Sequence, residues 1–386
     1  VNSDITKYYF FSAVNNCLFF LPVVYIFFQQ DGLSLTEIFA IEAIYSLGIV
    51  LFEVPTGAVA DRFGKKASLL AGSLFLILSC LLFSISSGFL ALSAAYLVWA
   101  FGASLGSGAD TALLYDILHK GGQEEYFKRY RANATVFGLS ALALSGIIGG
   151  YLASISMRMT FVASAVAFAL SFIVLSTIKH AESRHENESY RDIVTGSFRL
   201  IKNSPLLLWR FAYLVLFRVV YCLVQPSTQI YMGLAGLGIT FFGVASALLF
   251  LSGLIGSKVA HGFESRFKTI SYAIIAALSV LSLLLASQYV VPLGFLVFAL
   301  LYFAESMNSI LIEHEMLKNT PKKWHSTVLS FGSMSSRLAL TLLAPIWGVS
   351  MQGIGLQATF FGSAIILAIA SAFLFLLYTG IREHEA

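Results

Sequence analysis

Two charged residues stand deep inside apolar runs, and their types are those of proton and ion-pair chemistry. Arg218 lies within the run 206–232 and Glu305 within the run 290–316. Read as helices, these runs carry the two groups to similar depths, about 18 Å and about 20 Å along at 1.5 Å per residue. A lone guanidinium at such a depth is costly, so Arg218 and Glu305 are expected to pair. Burial disfavours a carboxylate's charge, while an adjacent guanidinium favours it. A small change in their separation would then load or unload a proton, and Glu305 is the first candidate for that exchange. The plainer reading of the same pair is an ion tie that fixes helix register. Tyr221, Cys222, Gln225 and Gln229 share a helical face with Arg218, and Asn308 and Ser309 share one with Glu305.

Other polar residues in apolar runs extend this set. Asn15 and Asn16, in the run 8–29, are expected to face a central cavity. Asp110, in the run 89–118, is a second proton candidate, estimated at about 31 Å from the outer end. Glu42, Ser46 and Glu53 form a stripe in the run 34–60 and read as interfacial or gate residues. Arg337, in the run 324–349, is placed close to an inner gate.

Several chemistries find no support. Gly64-Lys65 lacks both the earlier glycine and the following Ser or Thr of a phosphate loop. Glu313-His314-Glu315 and the pair His180/His185 have no recognised ligand spacing, so neither a metal nor a cofactor is expected. Cys17, Cys80 and Cys222 all fall in apolar runs and read as small buried hydrophobes. No nucleophile elbow or zinc-protease motif is present, and an enzyme is not expected.

The elements that must position these groups follow from composition. Of 386 residues, 58% are hydrophobic and only 11% are charged, against about 25% charged in soluble domains. Such a chain cannot wet a globular surface and needs lipid as solvent. A spanning helix takes about 20 apolar residues. Twelve such runs are read: 8–29, 34–60, 67–86, 89–118, 131–153, 157–178, 206–232, 237–260, 268–287, 290–316, 324–349 and 355–379. The N-terminal run lacks a basic flank and a cleavage site, and is read as a retained first span. A charged stretch divides the runs six and six, giving an N-terminal bundle at 1–178, a cytoplasmic linker at 179–205 and a C-terminal bundle at 206–386. Within the linker, 190–202 could form an amphipathic surface helix. With both termini inside, all but three of the 24 Lys and Arg lie in or beside cytoplasmic segments, the exceptions being Arg158, Arg218 and Arg337. The net charge of +4 leaves no nucleic-acid footprint.

The halves also resemble each other. At a constant offset of 204, Pro22, Gly32, Leu33, Thr36, Arg62 and Phe63 match Pro226, Gly236, Leu237, Thr240, Arg266 and Phe267. Such a register suggests a duplicated six-helix unit, with a site between the repeats near midplane.

Between the second and third runs the chain reads Gly57-Ala58-Val59-Ala60-Asp61-Arg62-Phe63-Gly64-Lys65-Lys66. Gly57 suits close helix approach, Gly64 a tight turn, and Asp61 sits among three cations. Asp116, at the inner end of the fourth run, is the expected partner of Lys65 or Arg62. This stretch resembles the signature G-x-x-x-D-R-x-G-R/K-R/K of the major facilitator superfamily, in the loop where that family carries it. The resemblance implies two pseudo-symmetric six-helix bundles in an all-α integral membrane protein. It also implies a cytoplasmic gate made of Gly57, Asp61, Arg62, Gly64, Lys65, Lys66, Asp116 and Arg337. In the second half the acid is replaced by Ser265, so the motif is degenerate there. The fifth run carries Ala141, Ser145, Gly146, Gly149 and Gly150, which resembles that family's antiporter motif with its proline replaced by Gly146.

The function expected is transport of a small solute by alternating access across the inner (plasma) membrane, by a monomer coupled to protons. Aromatic-rich runs suit efflux of an amphiphilic or drug-like compound. The cavity candidates are Asn15, Asn16, Arg218, Tyr221, Gln225, Gln229, Glu305 and Asn308. The Arg218 stripe with its two glutamines supports instead a specific importer or exporter of a polar or anionic metabolite or siderophore. A non-transporting membrane sensor or assembly partner is the reading from another class. Such a protein would be expected to have an eroded gate motif and a soluble output domain.

Overall fold

The computed structural model describes residues 2–179, 200–267, 270–318, 320–321 and 324–385. The linker residues 180–199, with His180, His185 and most of the expected helix 190–202, lie outside the described residues. Fourteen α-helices are described, which we label α1 to α14 in chain order. They are α1 (Asn2–Asn15), α2 (Val24–Gln30), α3 (Leu35–Phe63), α4 (Lys65–Ile85), α5 (Phe89–Gly106), α6 (Ala109–Lys120), α7 (Phe127–Ile155) and α8 (Met157–Ser176). After the linker come α9 (Pro205–Leu234), α10 (Phe242–Phe267), α11 (Ile270–Gln288), α12 (Phe298–Lys318), α13 (His325–Gly353) and α14 (Leu356–Glu385). Among the described residues, 11 helical segments are long and apolar enough to cross a membrane. Their outer faces stay apolar: Ile366, Ile369, Phe373 and Leu376 of α14 are exposed, a face suited to lipid. The chain is an all-α, multi-pass membrane protein.

The first expected span is not continuous. It is divided into α1 and α2 by a non-helical stretch at 16–23. Pro22 has no N–H to give a helix and would clash with the carbonyl one turn back. Backbone freed from helical bonds at lipid depth must find partners within the protein, and here it does. The Phe19 amide donates to Ser164 Oγ of α8 at 3.1 Å. The Asn16 amide group donates to the Ser12 carbonyl at 2.8 Å. Gly149 of α7 supplies the space, since a Cβ there would overlap the Phe19 carbonyl. The fourth span is divided too, between α5 and α6, where Gly108 takes a φ of +73°. By contrast, Pro55, Pro226 and Pro345 stay inside unbroken helices α3, α9 and α13. Hydroxyls beside them bond carbonyls one turn back: Thr56 to Phe52, Ser227 to Leu223 and Thr341 to Arg337.

The chain divides into two compact units, Val1–His185 with Gly238–Ala247, and Glu186–Leu237 with Leu248–Ala386. In the first unit, small residues let backbones meet. A Cβ on Gly72 of α4 would come 2.9 Å from the Gly102 carbonyl of α5. Ser68 and Ser79 of α4 donate to the Leu105 and Ala95 carbonyls of α5, each at 2.7 Å. Gly146 and Gly150 of α7 meet Gly243 and Thr240 in the same backbone-to-backbone manner. In the second unit, Trp209 of α9 donates to the Leu374 carbonyl of α14 and stacks on Tyr213.

The offset of 204 has a conformational basis. Gly32 and Gly236 both take positive φ, +90° and +73°. Leu33 N–H bonds the Phe28 carbonyl and Gly32 N–H the Gln29 carbonyl; Leu237 bonds Met232 and Gly236 bonds Gly233 in the same pattern. These are two copies of one Schellman helix end, in which glycine supplies the left-handed residue. Arg62 over the Phe63 ring and Arg266 over the Phe267 ring repeat as well, at 5.4 and 5.7 Å to the centroid.

Candidate functional site

In the second unit a cavity of about 330 Å³ opens between faces of α9, α12 and α13. Leu214, Arg218 and Cys222 line it from α9 at spacings of four, one face of that helix. Glu313 comes from α12, and Leu329, Gly332, Ser333, Ser336, Arg337 and Leu340 come from α13. Gly332 keeps α13 close to α9, since a Cβ there would meet Leu214 at 2.9 Å.

Arg218 joins this cavity to the buried interior. Its Nε stands 2.9 Å from Glu305 Oε1, and the Glu305 side chain is only 5% exposed. The contact is an ion pair out of line for a hydrogen bond, because Glu305 Oε1 has no hydrogen-bond donor. Arg218 Nη2 donates to Ser309 Oγ at 2.8 Å, and Ser309 Oγ donates in turn to Glu313 Oε1 at 2.8 Å. Glu313 Oε1 itself lies 3.8 Å from Arg218 Nη2. Glu305, Ser309 and Glu313 recur every four residues along one stripe of α12, which is why a single guanidinium reaches all three. The buried Asn308 donates to Glu305 Oε2 at 3.4 Å, and its own Oδ1 has no partner among the described residues.

The remaining candidates fall elsewhere. Tyr221 packs edge-on against Tyr302, with centroids 4.9 Å apart. Gln229 is buried and Gln225 half-buried in α9, and the cavity lining includes none of these three. Asn15 Oδ1 accepts from Ser171 Oγ at 3.2 Å, so Asn15 and Asn16 are both engaged at the break in the first span. Asp110 begins α6 and pairs with Arg131 of α7 at 2.9 Å, while Tyr8 Oη donates to the Asp110 carbonyl at 3.0 Å. Arg337, expected at the gate, lines the same cavity as Arg218.

The structure brings into play charged positions that the sequence did not mark as site residues. Glu313 stands out in the sequence only beside His314 and Glu315, though its spacing of eight from Glu305 puts it on the same stripe. Arg210 of α9 pairs with Glu315 at 2.7 Å, both side chains largely buried. Arg131 was lost among neighbouring cations. Glu42, expected at the interface or the gate, is buried, and both Tyr25 and Tyr96 donate to its Oε1 at 2.9 Å.

The loop between α3 and α4 has the geometry its residues suggest, with one correction. Gly64 closes α3 at φ +91°, and Asp61 and Lys65 form an ion pair. Lys66 Nζ donates to the Ser176 and Ile178 carbonyls at 2.8 and 2.6 Å, capping the end of α8. Asp116 is buried on α6. Gly57 does not mediate close helix packing here: it is exposed, and a Cβ on it would meet nothing within 4 Å. The sequence pattern of the Major Facilitator Superfamily matches residues 8–339. The chain belongs to the Major Facilitator Superfamily.

Similarity within the Major Facilitator Superfamily is distant but extensive. The MFS-type transporter YxaM of Bacillus subtilis (strain 168) is 23% identical over 374 residues, covering 94% of this chain and 93% of YxaM. Quinolone resistance protein NorA of Staphylococcus aureus is 23% identical over 179 residues, 45% of this chain and 44% of NorA. The crystal structure of nucleoside transporter NupG superposes with a TM-score of 0.85 at 13% identity, covering 97% of this chain and 99% of NupG. That likeness establishes the shared fold. This chain is therefore a membrane transporter of the MFS type and not an enzyme.

Proposed function

We propose that this protein is a proton-coupled secondary transporter that moves a small polar solute by alternating access, with Glu305 as its proton carrier. The observation that carries this reading is the pairing of Arg218 with the buried Glu305 at the edge of a solute-sized cavity. The carboxylate there has one guanidinium beside it and is otherwise enclosed. Loss of that guanidinium leaves protonation as the way to avoid a buried charge. Asn308 suits both states. Its amide donates to the ionised carboxylate, and after a half-turn its Oδ1 accepts from the protonated one.

Alternating access then follows from charge. Arg218 is also linked to Ser309 and Glu313, so it has somewhere to go when Glu305 is neutral. The motif at 57–66 is assigned the gating role that the family resemblance implies, with Asp61 and Lys65 as its switchable pair. The charge asymmetry of the sequence supports both termini in the cytoplasm, with the chain in the inner (plasma) membrane.

Efflux of an amphiphilic or drug-like compound is the second reading, favoured by the partial likeness to NorA. The charged lining of the cavity favours the polar solute. A thermal-shift screen against metabolites and drugs, followed by proteoliposome flux of the solute identified, tests both. Under an imposed proton gradient the wild type accumulates solute. Glu305→Gln exchanges it without accumulation. Accumulation by E305Q driven by the proton gradient would dismiss the proposal.

A further inference from the structure

Two carboxylates face Arg218, and they are held very differently. Glu305 is enclosed and touches Nε directly, with 5% of its side chain exposed. Glu313 has 40% of its side chain exposed, lines the cavity, and stands 3.8 Å from Nη2 with Ser309 as the hydrogen-bonded link. The first is built into the helix packing. The second lies on the cavity wall, is solvated, and can leave at little cost.

We propose that Glu313 is an internal stand-in for an anionic solute: its carboxylate occupies the anion subsite of the empty cavity, and the solute's carboxylate displaces it from Arg218 and binds between Arg218 and Arg337. Both guanidiniums line the cavity, and planar guanidinium matches a carboxylate's two oxygens. Ser333 and Ser336 add hydroxyls from the Arg337 face, and Leu214, Leu329 and Leu340 supply the apolar wall. The volume lies at the small end of the range of about 300–1,000 Å³ usual for small-molecule sites.

Charge balance allows the exchange. The solute's carboxylate takes the place of the Glu313 carboxylate beside Arg218, and the released Glu313 is solvated on the cavity wall. The next charged groups along α9 and α12, Arg210 and Glu315, are paired with each other, and Lys318 lies 3.5 Å from Glu315. This rests on the transport of a polar solute proposed above.

The test uses purified full-length protein in detergent and three isosteric probes: benzoate, benzamide and benzamidine. Calorimetry is expected to show benzoate binding in preference to the neutral and cationic probes. Glu313→Gln keeps an acceptor for Ser309 and removes the competing charge, so benzoate affinity rises by about tenfold. Arg337→Lys, which keeps the charge and loses the fork, weakens benzoate by about tenfold. Unchanged or weaker benzoate affinity in E313Q, equal binding of benzamide, or no benzoate binding at all would overturn the proposal. These measurements need no gradient and no flux, so their failure leaves the accumulation test of E305Q standing. Conversely, tighter benzoate binding by E313Q would support the anion subsite even if E305Q still accumulated solute.

Discussion

The carbonyl of Phe19 lies against Gly149, so closely that residue 149 has no room for a side chain. The break in the first span depends on that space. Gly149→Ala is expected to push the 16–23 stretch off α7 and to cost about 1–3 kcal/mol, the range for overpacking. Gly362→Ala, where nothing lies within 4 Å, serves as the control. Melting of the two proteins in detergent, followed by tryptophan fluorescence, checks the difference; equal melting would show that the broken segment yields freely.

Glycines of the 57–66 loop should behave unlike one another. Gly64 has φ +91° and ψ 152°, a region essentially reserved for glycine. Gly64→Ala is expected to cost about 1–3 kcal/mol. Gly57→Ala meets open space and should leave both expression and melting unchanged. If G57A lowered solute flux with melting intact, close approach at Gly57 would belong to another conformation of the transport cycle.

Removing one member of the Arg210–Glu315 pair strands the other in a largely buried site. Arg210→Met is expected to destabilise by about 3–5 kcal/mol, less whatever Lys318 recovers. Adding Glu315→Gln to the same protein should restore most of the loss. The measurement is a double-mutant cycle on melting temperature, and additive losses would mean that the two residues do not act as a pair.

Asp110 and Arg131 are both about one-third exposed, so their ion pair is expected to contribute only about 0.2–1 kcal/mol. Asp110→Asn should therefore fold normally and retain proton-driven accumulation. Accumulation lost in D110N but kept in E305Q would move the proton site to the first unit.

Glu42 accepts from two phenols at once. Glu42→Gln keeps a carbonyl acceptor and is expected to be nearly neutral. Glu42→Ala removes the acceptor and should cost about 1–3 kcal/mol for each phenol that finds no replacement. Melting of the two variants separates a structural clasp, where only E42A falls, from a role for the charge, where both fall.

Much of the architecture was legible because its causes are local. Length and polarity of each run report membrane crossing without reference to any neighbour. The glycines at 32, 64 and 236 mark their turns because positive φ is a property of one residue, and all three have it. Pro22 lacks an N–H, again a property of one residue, but that alone does not say that the span divides over eight residues there while Pro55, Pro226 and Pro345 stay within helices. Whether a proline opens a helix depends on what stands ready to receive the freed backbone, and at Pro22 that is Ser164 and Gly149, far away in the chain.

Spacing along one helix placed Arg218 and Glu305 at matching depth, since rise per residue is constant. It cannot say which face of α13 turns toward them, so Arg337 is expected at the gate and Glu313 is not among the expected site residues. Nor could it pair Arg131 with Asp110 or bring Tyr25 and Tyr96 onto Glu42. The sequence by itself determined the number and character of the apolar runs, the duplicated helix ends and the turn glycines, because each follows from a residue and its immediate neighbours. Only the tertiary structure decided which charges meet, because a helix carries its side chains around its whole circumference and packing alone selects the rotation that brings one of them to a partner on another helix.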